Sequence, residues 1–312
     1  MATISDRTND YFSSDFPILG GVGNTGGDDA LTMMFVAFYA CCIGIGLWRL
    51  IKYPTARTWI LFRPALVIAL RIAGNVVRYM EATSNSAAPN KGRVVAEQIL
   101  IVLGYFFISD AVLVLLETML APCSSFVHNR RAGSQNTIAT WVLGFCHIAL
   151  IPAVVLGCYA VGTLKWLRED SPEFATIGRC RLAGAAIFLA MACIYDLAAI
   201  YAKVQKRVAK WRSTIFLFAI TVLTTIPPAY MVAMYRQADP PSIGSAGPKT
   251  AFYCLTELPI LLVTGLLLGI HLPKEFGFGA AELDREQQAL NSGKEWSSSV
   301  DQSTRSPAES RV

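Results

Sequence analysis

The sequence predicts an all-α polytopic membrane protein, a bundle of seven transmembrane helices, from its composition and from the length of its apolar runs. Hydrophobic residues make up 54% of the 312 positions and charged residues only 16%, whereas about a quarter of the residues in soluble domains are charged. The mean hydropathy is +0.44. The apolar residues form continuous blocks of about 20, the length at which a helix spans ~30 Å of hydrocarbon. Because the blocks do not alternate with polar residues, they are not β-barrel strands.

Seven windows of the sequence have this length. Each has to be helical, because lipid offers no hydrogen-bond partners to free backbone amides and carbonyls. The loops between the windows are too short to hold a soluble domain. The windows cover residues 30–48, 58–80, 95–119, 136–161, 178–202, 213–235 and 250–272.

Polar segments flank the predicted transmembrane domain, which covers residues 30–272. Residues 1–29 are polar and Gly-rich, with no apolar stretch of signal-peptide length, so the first span is expected to act as its own insertion signal. Residues 273–312 are predicted to be a disordered tail, because the part from Glu282 onward is charged and Ser-rich with few apolar residues.

The basic residues of the loops predict the orientation. The loop between the fifth and sixth windows and its edges contain Lys203, Lys206, Arg207, Lys210 and Arg212, and cytoplasmic loops are enriched in Lys and Arg. We therefore expect an extracytoplasmic N-terminus and a cytoplasmic C-terminus, in the plasma membrane or an endomembrane. The net charge of +5 includes no basic tract suited to nucleic acid, so no nucleic-acid partner is predicted.

Ionisable residues deep in the apolar windows are the best candidates for function, because charge is expensive in a membrane and normally faces other helices. The second window contains Arg63, Arg71 and Arg78, the third Glu97, Asp110 and Glu117, the fourth His147, the fifth Asp196 and the seventh Glu257. Six of these residues are predicted to form a buried charged site: Arg71, Arg78, Asp110, Glu117, Asp196 and Glu257.

The spacing of these charges predicts a ladder between the second and third helices. Residues seven apart lie on nearly the same helix face, so Arg71 shares a face with Arg78, and Asp110 with Glu117. Counting residues from the loop that connects the two helices places Arg78 at the membrane depth of Glu97, and Arg63 at the depth of Asp110 or Glu117. Arg71 is near mid-membrane, where Asp196 or Glu257 could pair with it. The alternative is that the charges only pair and set the helix register.

Prolines predict irregular helices near one of these acids. Pro227 and Pro228 should kink or break the sixth helix, and Pro259 should do the same in the seventh, two residues after Glu257. A gated cavity would use a kink beside an acid, although membrane helices also tolerate proline without any function.

Several chemistries are excluded by the residues present. Of three histidines only His147 is deep, so neither a bis-histidine haem nor a histidine-based zinc site is expected. The seventh window has no internal lysine for a retinal Schiff base, and no Gly-x-x-x-x-Gly-Lys-Ser/Thr loop is present. We predict no catalytic residue, no metal and no cofactor. The expected partners are membrane lipids and a small amphiphilic substrate, and the oligomeric state is left open.

Four short motifs resemble the fungal lipid-translocating exporter family, named for resistance to aminocholesterol, or a related uncharacterised fungal seven-transmembrane family. They are Gly74-Asn75-Val76-Val77-Arg78, Trp211-Arg212-Ser213-Thr214-Ile215-Phe216, Phe252-Tyr253-Cys254-Leu255-Thr256-Glu257-Leu258-Pro259 and His271-Leu272-Pro273. The chain departs from the family pattern in three places. The family has an Asp at the position of Thr256, and the acid of this chain, Glu257, lies one residue later. Leu272 separates His271 from Pro273, and the acid expected early in helix 6 is absent. The resemblance implies lipid or sterol handling.

The predicted function is therefore that of a transporter-like protein, or one that handles lipids, sterols or amphiphiles, without enzymatic activity. One alternative is a seven-transmembrane receptor. The third window ends Glu117-Thr118-Met119 without an Asp/Glu-Arg-Tyr motif, and the seventh lacks Asn-Pro-x-x-Tyr, which argues against that class. A membrane protein whose buried charges have only a structural role is the other alternative.

Overall fold

A computed structural model describes residues 18–21, 28–52, 58–84, 90–120, 135–163, 173–204, 211–236 and 246–270. The regular structure of these residues is entirely helical, and they form seven long helices. The first six are α1 (Asp28–Lys52), α2 (Thr58–Ala82), α3 (Lys91–Leu120), α4 (Gln135–Thr163), α5 (Glu173–Val204) and α6 (Trp211–Tyr235). The seventh, α7, consists of Ala246–Phe252, a π turn at Tyr253–Glu257, and Leu258–Gly269.

Six of these helices are long and apolar enough to cross a membrane, namely all except α2. The chain is therefore a multi-pass membrane protein. Helix α2 has 25 residues, enough for a span, but carries Arg63, Arg71 and Arg78. It packs between α1 and α3 in the bundle, and its role as a seventh span stays a prediction.

The helices extend beyond several of the apolar windows, because helical hydrogen bonding continues past the apolar block. Helix α1 begins at Asp28 instead of residue 30, and α5 begins at Glu173 instead of residue 178. The predicted tail, residues 273–312, lies outside the described residues, as do residues 1–17 and 22–27 of the predicted N-terminal segment. The predicted orientation is not tested by the fold.

Helix α3 is the central helix of the bundle. Consecutive helices pack side by side from α1 to α7, α7 also packs against α1 and α2, and α3 contacts α5, α6 and α7 besides its sequence neighbours. By contrast, one face of α4 is exposed, with Trp141, Phe145 and Ile148 at least 66% accessible. Their helical spacing is that of a face turned to lipid.

Two glycines allow close helix contacts around α4. A Cβ atom at Gly184 of α5 would lie 2.9 Å from the carbonyl oxygen of Ala153 in α4, which is closer than a carbon atom can approach a backbone oxygen without a shift. A Cβ atom at Gly157 of α4 would lie 3.0 Å from Val102 of α3. Helix packing through small residues is common in membranes, because it lets backbones approach each other.

The two prolines of α6 do not interrupt the helix. Helix α6 continues through Pro227 and Pro228, so of the two predicted outcomes, a kink or a break, the break does not occur. Pro228 has no N–H to donate to the Thr224 carbonyl, and the Tyr105 hydroxyl of α3 donates to this carbonyl instead, at 2.9 Å. A neighbouring helix thus satisfies the backbone group that proline leaves free.

In α7 the irregularity is a widened turn. The Leu258 N–H donates to the Tyr253 carbonyl, which closes a π turn immediately before Pro259. Proline cannot donate to the carbonyl of Leu255, so the regular hydrogen-bond ladder is interrupted at this point. The side chains of Tyr253, Thr256 and Glu257 on this turn are buried.

Candidate functional site

The ion pair between Arg71 and Glu257 joins α2 to the π turn of α7. Arg71 Nη1 lies 2.8 Å from Glu257 Oε1, and the two side chains are 2% and 3% exposed. The second carboxylate oxygen accepts from the Tyr39 hydroxyl at 3.2 Å and lies 3.4 Å from Asn75 Nδ2. Asn75 Nδ2 also donates to the Arg71 carbonyl at 2.9 Å. Glu257 is thus held by donors from both α1 and α2.

The other side of Arg71 faces the backbone of α3. A Cβ atom at Gly104 would lie 2.9 Å from Arg71 Nε, so glycine makes room for the guanidinium. Arg71 Nη2 lies 3.5 Å from the Ile101 carbonyl, and Nε has no hydrogen-bond partner among the described residues. Arg71 is therefore neutralised but not fully hydrogen-bonded.

A small cavity lies beside this pair, with a volume of about 10 Å³. A buried water needs ~10–15 Å³ and ligand sites usually measure ~300–1,000 Å³, so in this conformation the cavity has room for about one water molecule and not for a ligand. Its polar lining comes from α2, α3 and α7. The lining residues are Leu70, Arg71, Gly74, Asn75, Arg78, Glu97, Leu100, Ile101, Phe252 and Glu257.

A second group of charges, the Arg78 cluster, contains Arg78, Asp28, Glu97, Lys249 and Tyr253. Arg78 Nη1 donates to Glu97 at 2.7 Å, Nη2 lies 3.1 Å from Asp28, and Nε donates to the Tyr253 hydroxyl at 3.0 Å. Asp28 also receives Lys249 Nζ at 3.0 Å and the Tyr253 hydroxyl at 2.8 Å. Two cations face two carboxylates, so the buried cluster is neutral.

Residues 18–21 cover the Arg78 cluster. The Gly20 carbonyl accepts from Arg78 Nη2 at 2.7 Å. The backbone N–H and carbonyl of Leu19 both bond the Gln98 amide, at 3.3 and 3.1 Å. Gln98 also accepts from Arg181 of α5 at 2.8 Å. Gly20 and Gly21 have φ values of 77° and 63°, a conformation in which glycine is favoured.

A third group, the His147 cluster, contains Arg63 of α2, Asp110 and Glu117 of α3, and His147 of α4. Arg63 Nε pairs with Asp110 Oδ2. His147 Nδ1 lies 3.2 Å from Asp110 and Nε2 lies 3.1 Å from Glu117. The exposed fractions are 16% for Asp110, 30% for Glu117 and 34% for His147. These acids were predicted to be buried, but they face the gap between α2 and α4, which do not pack closely together.

Asp196 lies apart from the other predicted site residues. Its Oδ2 accepts from the Thr225 hydroxyl of α6 at 3.0 Å, and its Oδ1 has no partner among the described residues. Of the two acids predicted as partners of Arg71, Glu257 forms the ion pair and Asp196 does not. The six predicted residues therefore occupy separate places. Arg71, Arg78 and Glu257 line one cavity, and Asp110, Glu117 and Asp196 do not.

The predicted pairs within α2 and α3 are present, but several partners were missed. Arg78 pairs with Glu97 and Arg63 with Asp110, as the depth count predicted. Asp28 and Lys249 fall just outside the predicted windows, in the N-terminal segment 1–29 and in the loop before the seventh window. They nevertheless lie at the starts of α1 and α7, two helices that are parallel in an alternating bundle and therefore start at similar depth. The bridging position of His147 could not be read from α4, whose sequence is apolar on all sides.

Comparison with protein-family models, curated proteins and solved structures finds no match to this chain. The resemblance to the fungal exporter family therefore rests on the short motifs alone.

Proposed function

We propose that this multi-pass membrane protein is transporter-like and handles a lipid, a sterol or another small amphiphile, with the Arg71–Glu257 pair at the centre of its site. The observation that supports this most is a buried ion pair on a π turn beside a polar cavity. Charged groups inside a membrane bundle are costly and commonly functional. Single π turns in helices are frequent at functional sites.

The pair suggests how such a site would work. Glu257 ties α7 to α1 and α2 through Tyr39, Asn75 and Arg71. A polar headgroup that competes for Arg71 or Glu257 would release α7 from the two neighbouring helices. The cavity would then widen next to the irregular turn, where the hydrogen-bond ladder is already interrupted. The apolar part of the amphiphile would stay in the surrounding lipid, so the cavity has to accept only the headgroup.

The test is movement of fluorescent phosphatidylcholine, phosphatidylserine and sterol probes across vesicles that contain the purified protein. We expect the protein to accelerate at least one probe, and the double variant Arg71→Leu, Glu257→Leu to lower that rate at least tenfold. The double variant leaves no unpaired charge, so it is expected to fold. Arg179→Gln, at an exposed position of α5, is the matched control and should keep the rate.

Two results would contradict the proposal. One is that no probe moves faster than in protein-free vesicles. The other is that the folded double variant moves the probe as fast as the unmodified protein, which would leave the pair with a structural role only.

A further inference from the structure

The His147 cluster holds an imidazole between two carboxylates. Both ring nitrogens of His147 are at hydrogen-bond distance, Nδ1 from Asp110 at 3.2 Å and Nε2 from Glu117 at 3.1 Å. A neutral imidazole has one N–H and one lone pair, and an ionised carboxylate only accepts. A neutral ring would therefore point a lone pair at a carboxylate oxygen. The contacts are all favourable when the cluster binds one further proton.

The charge balance of the cluster favours the same state. Arg63 pairs with the other oxygen of Asp110. With His147 protonated, two cations face two carboxylates, and the group is neutral. Without that proton the group has a net charge of −1 in an apolar surrounding, where an uncompensated charge is costly.

The titratable groups around the ring come from four helices. The cluster receives Arg63 from α2, and Asp110 and Glu117 from α3. From α5 it faces Tyr195, whose side chain is fully buried and whose hydroxyl has no hydrogen-bond partner among the described residues. Tyr195 is close enough to Asp110 and Glu117 for their charges to act on it. Cys146, next to His147 in α4, is a buried free thiol.

The His147 cluster is less buried than the other two charged groups. His147 and Glu117 are about one-third exposed, whereas the side chains of the Arg71–Glu257 pair and the Arg78 cluster are at most 11% exposed. Glu117 lies in the last turn of α3 (Lys91–Leu120), and Asp110 lies two turns further into the helix. A proton that enters at the end of α3 would therefore reach Glu117 first, and His147 and Asp110 after it.

We propose that Asp110, His147 and Glu117 form a proton-binding site in which the imidazole carries one exchangeable proton near neutral pH. Proton binding by the cluster does not depend on the proposed function. The use of this proton as the coupling ion for amphiphile movement does rest on the proposed function.

The test is ¹⁵N NMR of histidine-labelled protein in lipid bilayers, without any substrate. The variant His128→Gln, His271→Gln leaves His147 as the only histidine of the three in the chain. We expect both ring nitrogens of His147 to be protonated at pH 7.5, where a free histidine, with a pKa of about 6.5, is mostly neutral. A neutral ring at pH 7.5 would overturn the proposal, whatever the vesicle assay shows.

Variants of the acids sharpen this test in the same background. Glu117→Gln and Asp110→Asn each remove one negative charge beside the ring, so the midpoint of His147 deprotonation should fall by about one pH unit or more. Glu173→Gln, at an exposed position at the start of α5, is the matched control and should leave the midpoint unchanged. An unchanged midpoint in folded Glu117→Gln protein would also overturn the proposal. If neither acid variant folds, the protonation state of the background variant decides alone.

Discussion

Arg71 and Glu257 lie 2.8 Å apart with side chains at most 3% exposed, so α2 and the π turn of α7 are joined by a buried ion pair. Removing one partner of such a pair leaves a buried charge uncompensated. Replacing both partners removes the desolvation cost together with the attraction. The pair therefore sets the helix arrangement more than it adds net stability.

This relationship gives a prediction for a double-mutant cycle. Arg71→Leu and Glu257→Leu should each destabilise the protein by about 3–5 kcal/mol, while the double variant should recover most of that loss. Unfolding of the purified proteins in mixed micelles measures the three differences. Strictly additive losses in the double variant would mean that the two side chains are not coupled.

A second prediction concerns the shape of the Arg78 guanidinium. Its three nitrogens donate to groups on α1, α3, α7 and the segment 18–21. Lysine keeps the charge but has one nitrogen and no planar fork. Arg78→Lys should therefore destabilise the protein by about 2–4 kcal/mol, since several charge-assisted hydrogen bonds are lost.

The control for this change is Arg93→Lys. Arg93 is 35% exposed in its side chain and lies 3.6 Å from Glu81, so lysine at this position keeps the charge beside Glu81 and loses only the hydrogen bond to the Met80 carbonyl. The same unfolding assay should show little change. Equal losses in the two variants would contradict a specific need for the guanidinium at position 78.

The ion pairs that could be predicted from the sequence are those between helices that follow each other in the chain. Two helices joined by a short loop are antiparallel, so counting residues from the loop gives relative depth. This pairs Arg78 with Glu97, and Arg63 with Asp110. For Arg71, by contrast, the choice between Asp196 and Glu257 depends on which distant helix packs against α2. Hydropathy does not determine which distant helix that is.

The rest could not be predicted for related reasons. Pro259 signals an irregularity in α7 but not whether it is a kink or the observed π turn. The rotation of α4 about its axis decides whether His147 faces Asp110, and an almost uniformly apolar helix does not reveal it. The buried position of Leu19 depends on Gln98, a polar residue of α3 that spacing alone does not distinguish from its neighbours.

A third prediction concerns the closure of the Arg78 cluster by residues 18–21. Gly20 has a φ of 77°, and a Cβ atom there would lie 2.7 Å from Phe252 Cγ. Gly20→Ala should displace the segment, expose Arg78 and lower stability by about 1–3 kcal/mol. Hydrogen–deuterium exchange of the Leu19 amide should become faster. Gly44→Ala in α1, where a Cβ atom meets nothing within 4 Å, should leave that exchange unchanged; an equal effect would contradict the prediction.

The last prediction tests the close contact of α4 and α5. A Cβ atom at Gly184 would lie 2.9 Å from the Ala153 carbonyl oxygen, whereas one at Gly178 of the same helix meets nothing within 4 Å. Both substitutions to Ala gain the same helix propensity, up to about 1 kcal/mol. Gly184→Ala should nevertheless be less stable than Gly178→Ala by about 1–3 kcal/mol, because α5 has to move away from α4. Unfolding midpoints of the two variants measure this difference, and equal midpoints would show that the helices are not in backbone contact at this position.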